Sequence, residues 1–307
     1  MSPARPPQHR QCGAQQVNER LSELDPKLRG RQARIEDECR RAIEKGAAQR
    51  VWRKLITIQV VVHVVAKTDE EDISDEQIES QIEVLNKDYR GANPDREGVP
   101  DPWKGLSADP NIQFALATKD PKGQPTNGIT RVRTTRDSFG TGDSVKTRAG
   151  GGTPPWATNR YLNIWVCNLG DGLLGYAQFP GGPAKTDGVV VLYTAFGTKG
   201  AASAPFDLGR TMTHEVGHWL NLRHIWGDTN DCSGSDQVSD TPRAQAPNYG
   251  KPDLPHISCN NGPDGDMFMN YMDYVDDAAM FMFTQGQAAR MNATLAGPRK
   301  KLAGLKS

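Results

Sequence analysis

The chain has 307 residues, 37 of them basic and 37 acidic, so its formal charge at neutral pH is zero. That balance offers no global field for nucleic acid or an anionic membrane surface, and neither is expected as a partner. No run of about 18 or more apolar residues occurs, which excludes a spanning helix, and the amino terminus Met-Ser-Pro-Ala-Arg-Pro-Pro lacks the apolar core of a secretory signal.

Residues 1–52 read differently from the rest. From Gln16 to Arg50 the chain is dense in charge, with Leu21, Leu24, Leu28 and Ile35 as its few apolar anchors. One or two surface helices are expected there rather than a core. The run from Leu55 to Val65 is rich in β-branched residues and predicts a well-buried strand. Ser74 and Gln77 form a capping-box pattern, and Ile78, Ile82, Leu85 and Tyr89 then recur at helical spacing. Further strands are expected at Ile112–Ala117, Tyr161–Cys167 and Val189–Tyr193. A helix should start near Asp207 and run through His218, and a last one should start at Thr284, where Gln287 completes another capping box. There is no internal repeat. The pattern is α/β at first and loop-rich after residue 222.

Within this frame, His214-Glu-Val-Gly-His218-Trp-Leu-Asn-Leu-Arg-His224 carries the chemistry. On a helix, His214 and His218 project from one face at a spacing that can grip a single metal ion. Glu215 lies beside that face, where its carboxylate can serve as a general base without being a ligand. His224 cannot reach the metal if the helix runs straight on, so the chain must turn sharply. Asn221 is the natural hinge, because Asn tolerates the left-handed conformation that ends helices. Three neutral imidazoles with one place left over make an open, catalytic zinc site. A chance match is the competing explanation. Yet three of only six histidines fall in this stretch, and at a histidine frequency of about 2% the third match cuts chance hits roughly fiftyfold.

The five cysteines are Cys12, Cys39, Cys167, Cys232 and Cys259, an odd number that leaves at least one unpaired or bound to something else. Cys232 and Cys259 bracket a polar segment with little core-forming material, which a disulfide would suit. Such a bond would imply an oxidising compartment.

Extended to Gly227, the histidine motif resembles that of the pappalysin family of metzincins, and Asn270-Tyr-Met-Asp-Tyr274 resembles the family's Met-turn. Matching motifs span roughly residues 160–285, with a weaker likeness over the whole chain. Asn221 departs from the glycine usual in that pattern. The resemblance implies a zinc metalloendopeptidase acting on proteins or peptides, expected to be monomeric and secreted. It implies an α/β (α+β) metzincin fold: a mixed twisted sheet with backing and active-site helices above the cleft, over an irregular lower subdomain ending in a helix. Residues 1–52 would form an inhibitory prosegment, and residues 53–307 the catalytic domain, divided near residue 220.

The same resemblance assigns residues. Met272 would form a hydrophobic base beneath the metal, and Tyr274 would stabilise the oxyanion. Leu174, Gly175, Tyr176 and Ala177 resemble the strand that receives substrate, although an internal strand explains them equally. His9-Arg-Gln-Cys-Gly13 resembles a cysteine switch, in which Cys12 would occupy the fourth zinc position of a latent form. Removal of the prosegment is expected near Gln49–Arg53. Asp277 matches the acidic floor of a pocket for the residue after the scissile bond, which would select Arg or Lys; Asp276 and Asp277 as solvated loop charges are the alternative. Asp236, Asp240 and Thr241 match a calcium loop. Cys232 would pair with Cys259, whereas the family's second disulfide has no counterpart, with Lys251 and Ala279 at its positions. Cys39 and Cys167 receive no role. A zinc-bearing but catalytically silent peptide binder is the reading from another class, and the retained Glu215 argues against it. An enzyme that stays inside the cell is favoured only by the missing signal.

Overall fold

The computed structural model of the chain describes residues 7–304. Three helices come first: α1 (Ala14–Leu24), α2 (Leu28–Glu44) and α3 (Ala47–Trp52). Leu21, Leu28 and Ile35 are buried, whereas Leu24 is 72% exposed. The segment expected to be a surface extension is therefore docked on the globular part through its few apolar residues. Ile35 and Cys39 of α2 share a small cluster with Ala48 of α3 and Ala293 from the far end of the chain. The expected cleavage stretch Gln49–Arg53 falls largely within α3. That helix is pinned by a Trp52 Nε1 bond to the Asp109 carbonyl at 2.6 Å and by Asn111 Nδ2 to the Trp52 carbonyl at 2.8 Å.

Six strands then build one sheet: β1 (Ile56–Ala66), β2 (Ile112–Leu116), β3 (Ile129–Arg133), β4 (Leu162–Cys167), β5 (Gly175–Ala177) and β6 (Val189–Leu192). Helices α4 (Asp75–Asp88) and α5 (Asp101–Lys104) interrupt them after β1. The first part of β1 pairs with β2 and the last part with β3 on one edge, while β4 pairs along the opposite edge, all in parallel. Beyond β4 lies β6, and β5 closes the sheet as its single antiparallel strand. The quartet Leu174–Ala177 thus runs along the sheet's edge, not its interior. The dense β-branched run of β1 follows from burial on both faces from Val60 onward, where strands read as largely apolar runs. β3 has no counterpart among the expected strands, because its exposed face carries Arg131 and Arg133, which pair with acids in residues 69–75.

Two helix starts are capped differently from expectation. At α4 the Ser74 hydroxyl accepts the Gln77 N–H at 3.2 Å, but the Gln77 side chain does not return the bond. Its amide instead donates to the carbonyls of Tyr193 and Phe196, which burial would otherwise orphan. Helix α6 (Arg210–Trp219) begins three residues after Asp207, because its cap comes from across the molecule. Oδ2 of Asp277 accepts the N–H groups of Leu208 and Arg210 at 2.8 and 3.1 Å.

After residue 222 the chain is irregular. It holds the short pair β7 (Tyr249–Gly250) and β8 (Tyr274–Val275), the Cys232–Cys259 disulfide, and finally α7 (Gln285–Ala296), whose Thr284–Gln287 capping box is complete. Cys12, Cys39 and Cys167 are free and buried. Among the described residues, no helix is long and apolar enough to cross a membrane.

Candidate active site

His214 and His218 lie one turn apart on α6, and both are fully buried. The helix ends in a Schellman motif. Asn221 takes φ +75°, its N–H bonds to the His218 carbonyl, and the Leu222 N–H bonds to that of Gly217, each at 2.9 Å. This closure folds the chain back so that the Nε2 atoms of His214, His218 and His224 stand 3.0–3.2 Å apart.

The opposite ring nitrogens explain what that cluster is for. Nδ1 of His214 faces the Tyr271 carbonyl at 2.7 Å, Nδ1 of His218 faces the Leu222 carbonyl at 2.8 Å, and Nδ1 of His224 faces the Asp228 carboxylate. Each Nδ1 therefore carries the proton, and three Nε2 lone pairs point at one another. Only a shared cation relieves that arrangement, and neutral imidazoles oriented by outer acceptors suit a zinc-type ion. Burial pushes the basicity of His214 down, and that of His218 down to about 3, so both stay unprotonated and free to ligate.

A fourth donor completes the group. Cys12 Sγ lies with the three imidazole nitrogens in a set whose ligand atoms are all within 4.8 Å of one another. The thiol is buried, which pushes its pKa up, and it donates to Glu215 Oε2 at 3.4 Å. Burial also raises the Glu215 carboxyl, to about 8. Tyr274 faces the same space, its hydroxyl accepting the Cys12 N–H at 3.3 Å and its ring packing edge-on against His224. Met272 is fully buried beneath α6. A Cβ on Gly217 would clash with its sulfur, so the close packing of α6 on Met272 relies on the glycine there.

Residues 10–13 lie along the sheet edge. Leu174 N–H donates to the Gln11 carbonyl at 3.0 Å, and Gly13 N–H donates to that of Gly175 at 2.9 Å. Tyr176 and Ala177 are buried and pair with β6. Two residues before Cys12, Arg10 enters a closed pocket. Its guanidinium reaches Asp277 Oδ1 at 2.6 Å, Thr211 Oγ1 at 3.0 Å and the Val275 carbonyl at 3.3 Å, over the Phe206 ring. Asp277 is fully buried, not a solvated loop charge.

The suggested calcium residues are partly committed elsewhere. Asp240 uses both oxygens on the start of α7, accepting from the Thr284 hydroxyl at 2.7 Å and the Gly286 N–H at 2.8 Å. Asp236 Oδ2 accepts from the Thr241 hydroxyl at 2.8 Å. Two residues went unassigned in the sequence. Arg10 was visible in the Arg-x-Cys-Gly tetrapeptide, but its partner lies 267 positions away. Asp228 sits four residues after His224 in an irregular turn, where spacing carries no directional meaning.

With this geometry stand the likenesses to known proteins. The sequence pattern of peptidase family M43, described as pregnancy-associated plasma protein-A, matches residues 153–296. An extracellular metalloprotease of Pyricularia oryzae is 32% identical over 295 residues, covering 93% of this chain and 88% of its own. The chain belongs to the pappalysin family. Extracellular metalloprotease 1 of Coccidioides posadasii is likewise 32% identical, over 82% of this chain and 81% of its own. Among solved pappalysin structures, mature mirolysin of Tannerella forsythia with a cleaved peptide superposes with a TM-score of 0.79 at 52% identity, over 80% of this chain and 95% of that one. A promirolysin variant from the same organism gives 0.87 at 46% identity, over 95% and 97%. The protein is thus a metallopeptidase with a metzincin fold, a metal-dependent hydrolase of peptide bonds.

Proposed function

We propose that this pappalysin is a zinc endopeptidase made as a latent zymogen, cutting on the amino side of Arg and Lys. One observation carries the reading: the segment that brings Cys12 to the three imidazoles also seats Arg10 on Asp277. A pocket closed around a guanidinium by a buried carboxylate, a hydroxyl and a carbonyl is a receptor for a basic side chain. His214, His218 and His224 are assigned as zinc ligands, with Cys12 as the fourth in the latent form.

Bound in this seat, zinc supplies Lewis acidity toward the scissile carbonyl and an attacking water. Glu215 takes the proton of that water at Oε2, where the Cys12 thiol donates in the latent state, and returns it to the leaving amine. The Tyr274 hydroxyl, freed from the Cys12 backbone, donates to the developing oxyanion. Leu174 N–H and the Gly175 carbonyl hold an extended peptide, as they hold Gln11 and Gly13, while Tyr176 and Ala177 stiffen that strand against β6. Met272 floors the site.

Residues 1–52 are assigned to the prosegment and 53–307 to the catalytic domain, with subdomains meeting near residue 220. Cutting within Gln49–Arg53 then requires α3 to unwind, because a protease takes its substrate extended. We assign the enzyme to the cell exterior as a monomer: relatives are named extracellular, and the Cys232–Cys259 bond fits an oxidising compartment. Calcium is proposed on the 231–242 loop at Asp236 and Thr241, with Asp240 tying that loop to α7. Calcium withdrawal under zinc excess should then lower the melting temperature.

A peptide-library digest by the activated protein, with and without a chelator, tests the function. Chelator-sensitive cuts preceding Arg and Lys are expected. Cuts that ignore basic residues would remove the Asp277 assignment, and cutting that survives metal removal would remove the mechanism.

A further inference from the structure

A helix leaves its last carbonyls without partners in its own ladder. At the end of α6 the Schellman closure serves the carbonyls of Gly217 and His218, and the Leu220 N–H serves that of Val216. The carbonyls of Trp219 and Asn221 are taken by guanidinium groups from the last part of the chain. Arg299 Nε donates to the Trp219 carbonyl at 2.8 Å, and Arg290 Nε donates to that of Asn221 at 2.6 Å. Both arginines are buried.

Each is anchored a second time. Arg299 lies 3.9 Å from the centre of the Trp219 ring and forms two 2.8 Å bonds with Asp187, which leads into β6. Arg290, on α7, turns its outer nitrogen to Glu36 of α2 at 2.6 Å. The end of the histidine-bearing helix is thereby tied to the entry of β6 by one arginine and to the amino-terminal segment by the other.

We propose that Arg290 and Arg299 are positioning residues for the metal centre, fixing the turn that carries the chain from the second histidine to the third. The peptide joining residues 219 and 220 is held at both ends, its carbonyl by Arg299 and its N–H by Val216. The peptide joining 221 and 222 is held the same way, by Arg290 and Gly217. A peptide plane restrained on both sides cannot rotate. The next carbonyl, of Leu222, is therefore fixed where it orients His218 Nδ1, and the chain leaves the turn aimed at His224.

The inference rests on the three-histidine reading of the site, and its test separates the two. Chelator-driven zinc release is timed for the intact, zinc-loaded chain well below its melting temperature. Arg290→Gln and Arg299→Gln should each release zinc about tenfold faster than wild type, as changes behind metal ligands commonly do. Ile78→Val, a core change in α4, controls for general loosening. A wild-type chain that takes up no zinc would defeat the site reading itself. A wild-type chain that holds zinc, with arginine variants no faster than Ile78→Val, would overturn this inference. If either glutamine variant does not fold, Asp187→Asn keeps both guanidinium groups and loosens only the anchor of Arg299. Its release should still accelerate, and an unchanged rate overturns the role of Arg299.

Discussion

Between β1 and the end of α6 the chain is organised by apolar periodicity, with Val60, Val61, Val62, Ile164 and Val190 all fully buried in one sheet. Between Asn221 and Thr284 it has two strands of two residues each and is held by a disulfide and by side chains bonded to main chain. Buried Asp273 accepts the N–H groups of Asn248 and Tyr274, and Asn270 and Gln287 exchange two amide bonds. The site draws on both regions. The upper one supplies His214, Glu215 and His218 by helix spacing; the lower one supplies His224, Tyr274 and Asp277 by polar contacts that aim each side chain singly. Rigid spacing is thus paired with individually adjustable groups, and changes in the two regions should fail differently.

The largest expected effect belongs to the upper region. Glu215→Ala should cut turnover by about a thousandfold and leave both zinc content and melting temperature near wild type. A variant that still cuts peptides at a comparable rate would remove Glu215 as the base. Next comes Asp277→Asn in the lower region. Since Oδ1 faces the guanidinium and Oδ2 caps α6, the amide should erase most of the preference for Arg and Lys, by about tenfold or more, at a stability cost of about 1 kcal/mol. An unchanged cleavage profile would separate Asp277 from specificity.

On activity the smallest effect is that of pH, which acts through stability, and its sign differs between the regions. Burial in β1 pushes His63 down to about 4, so the stability it contributes is complete above its unfolded value near 6.5. That contribution is lost as pH falls from there through 4, by about 3 kcal/mol in all. Burial raises Asp273 to about 7, so its contribution is present below the unfolded value near 3.9 and is lost as pH rises through 7. His63→Gln should flatten the acid arm of a melting-temperature profile, and Asp273→Asn the arm between pH 4 and 7. Identical profiles for both variants would erase the distinction.

That distinction also marks what could be read from the sequence. The β1 run, the α7 capping box and the spacing of His214 and His218 are local patterns, and the left-handed turn at Asn221 follows from the need to bring His224 back. Helix α6 began late because its cap, Asp277, lies dozens of residues downstream. Gln77 abandoned its box for carbonyls that only the folded sheet brings near. Docking of α1 to α3 was hidden because a few leucines among many charges do not announce what they will touch. Arg290, Arg299 and Asp228 act through partners or turns whose positions no periodicity encodes.

The central claim is that three imidazoles and the Cys12 thiol share one zinc ion in the intact chain. X-ray absorption at the zinc edge on that chain tests it directly. Expected is a first shell of three nitrogens at about 2.0 Å and one sulfur at about 2.3 Å, the sulfur giving way to oxygen in Cys12→Ala. A first shell of nitrogen and oxygen alone in the intact chain would contradict it.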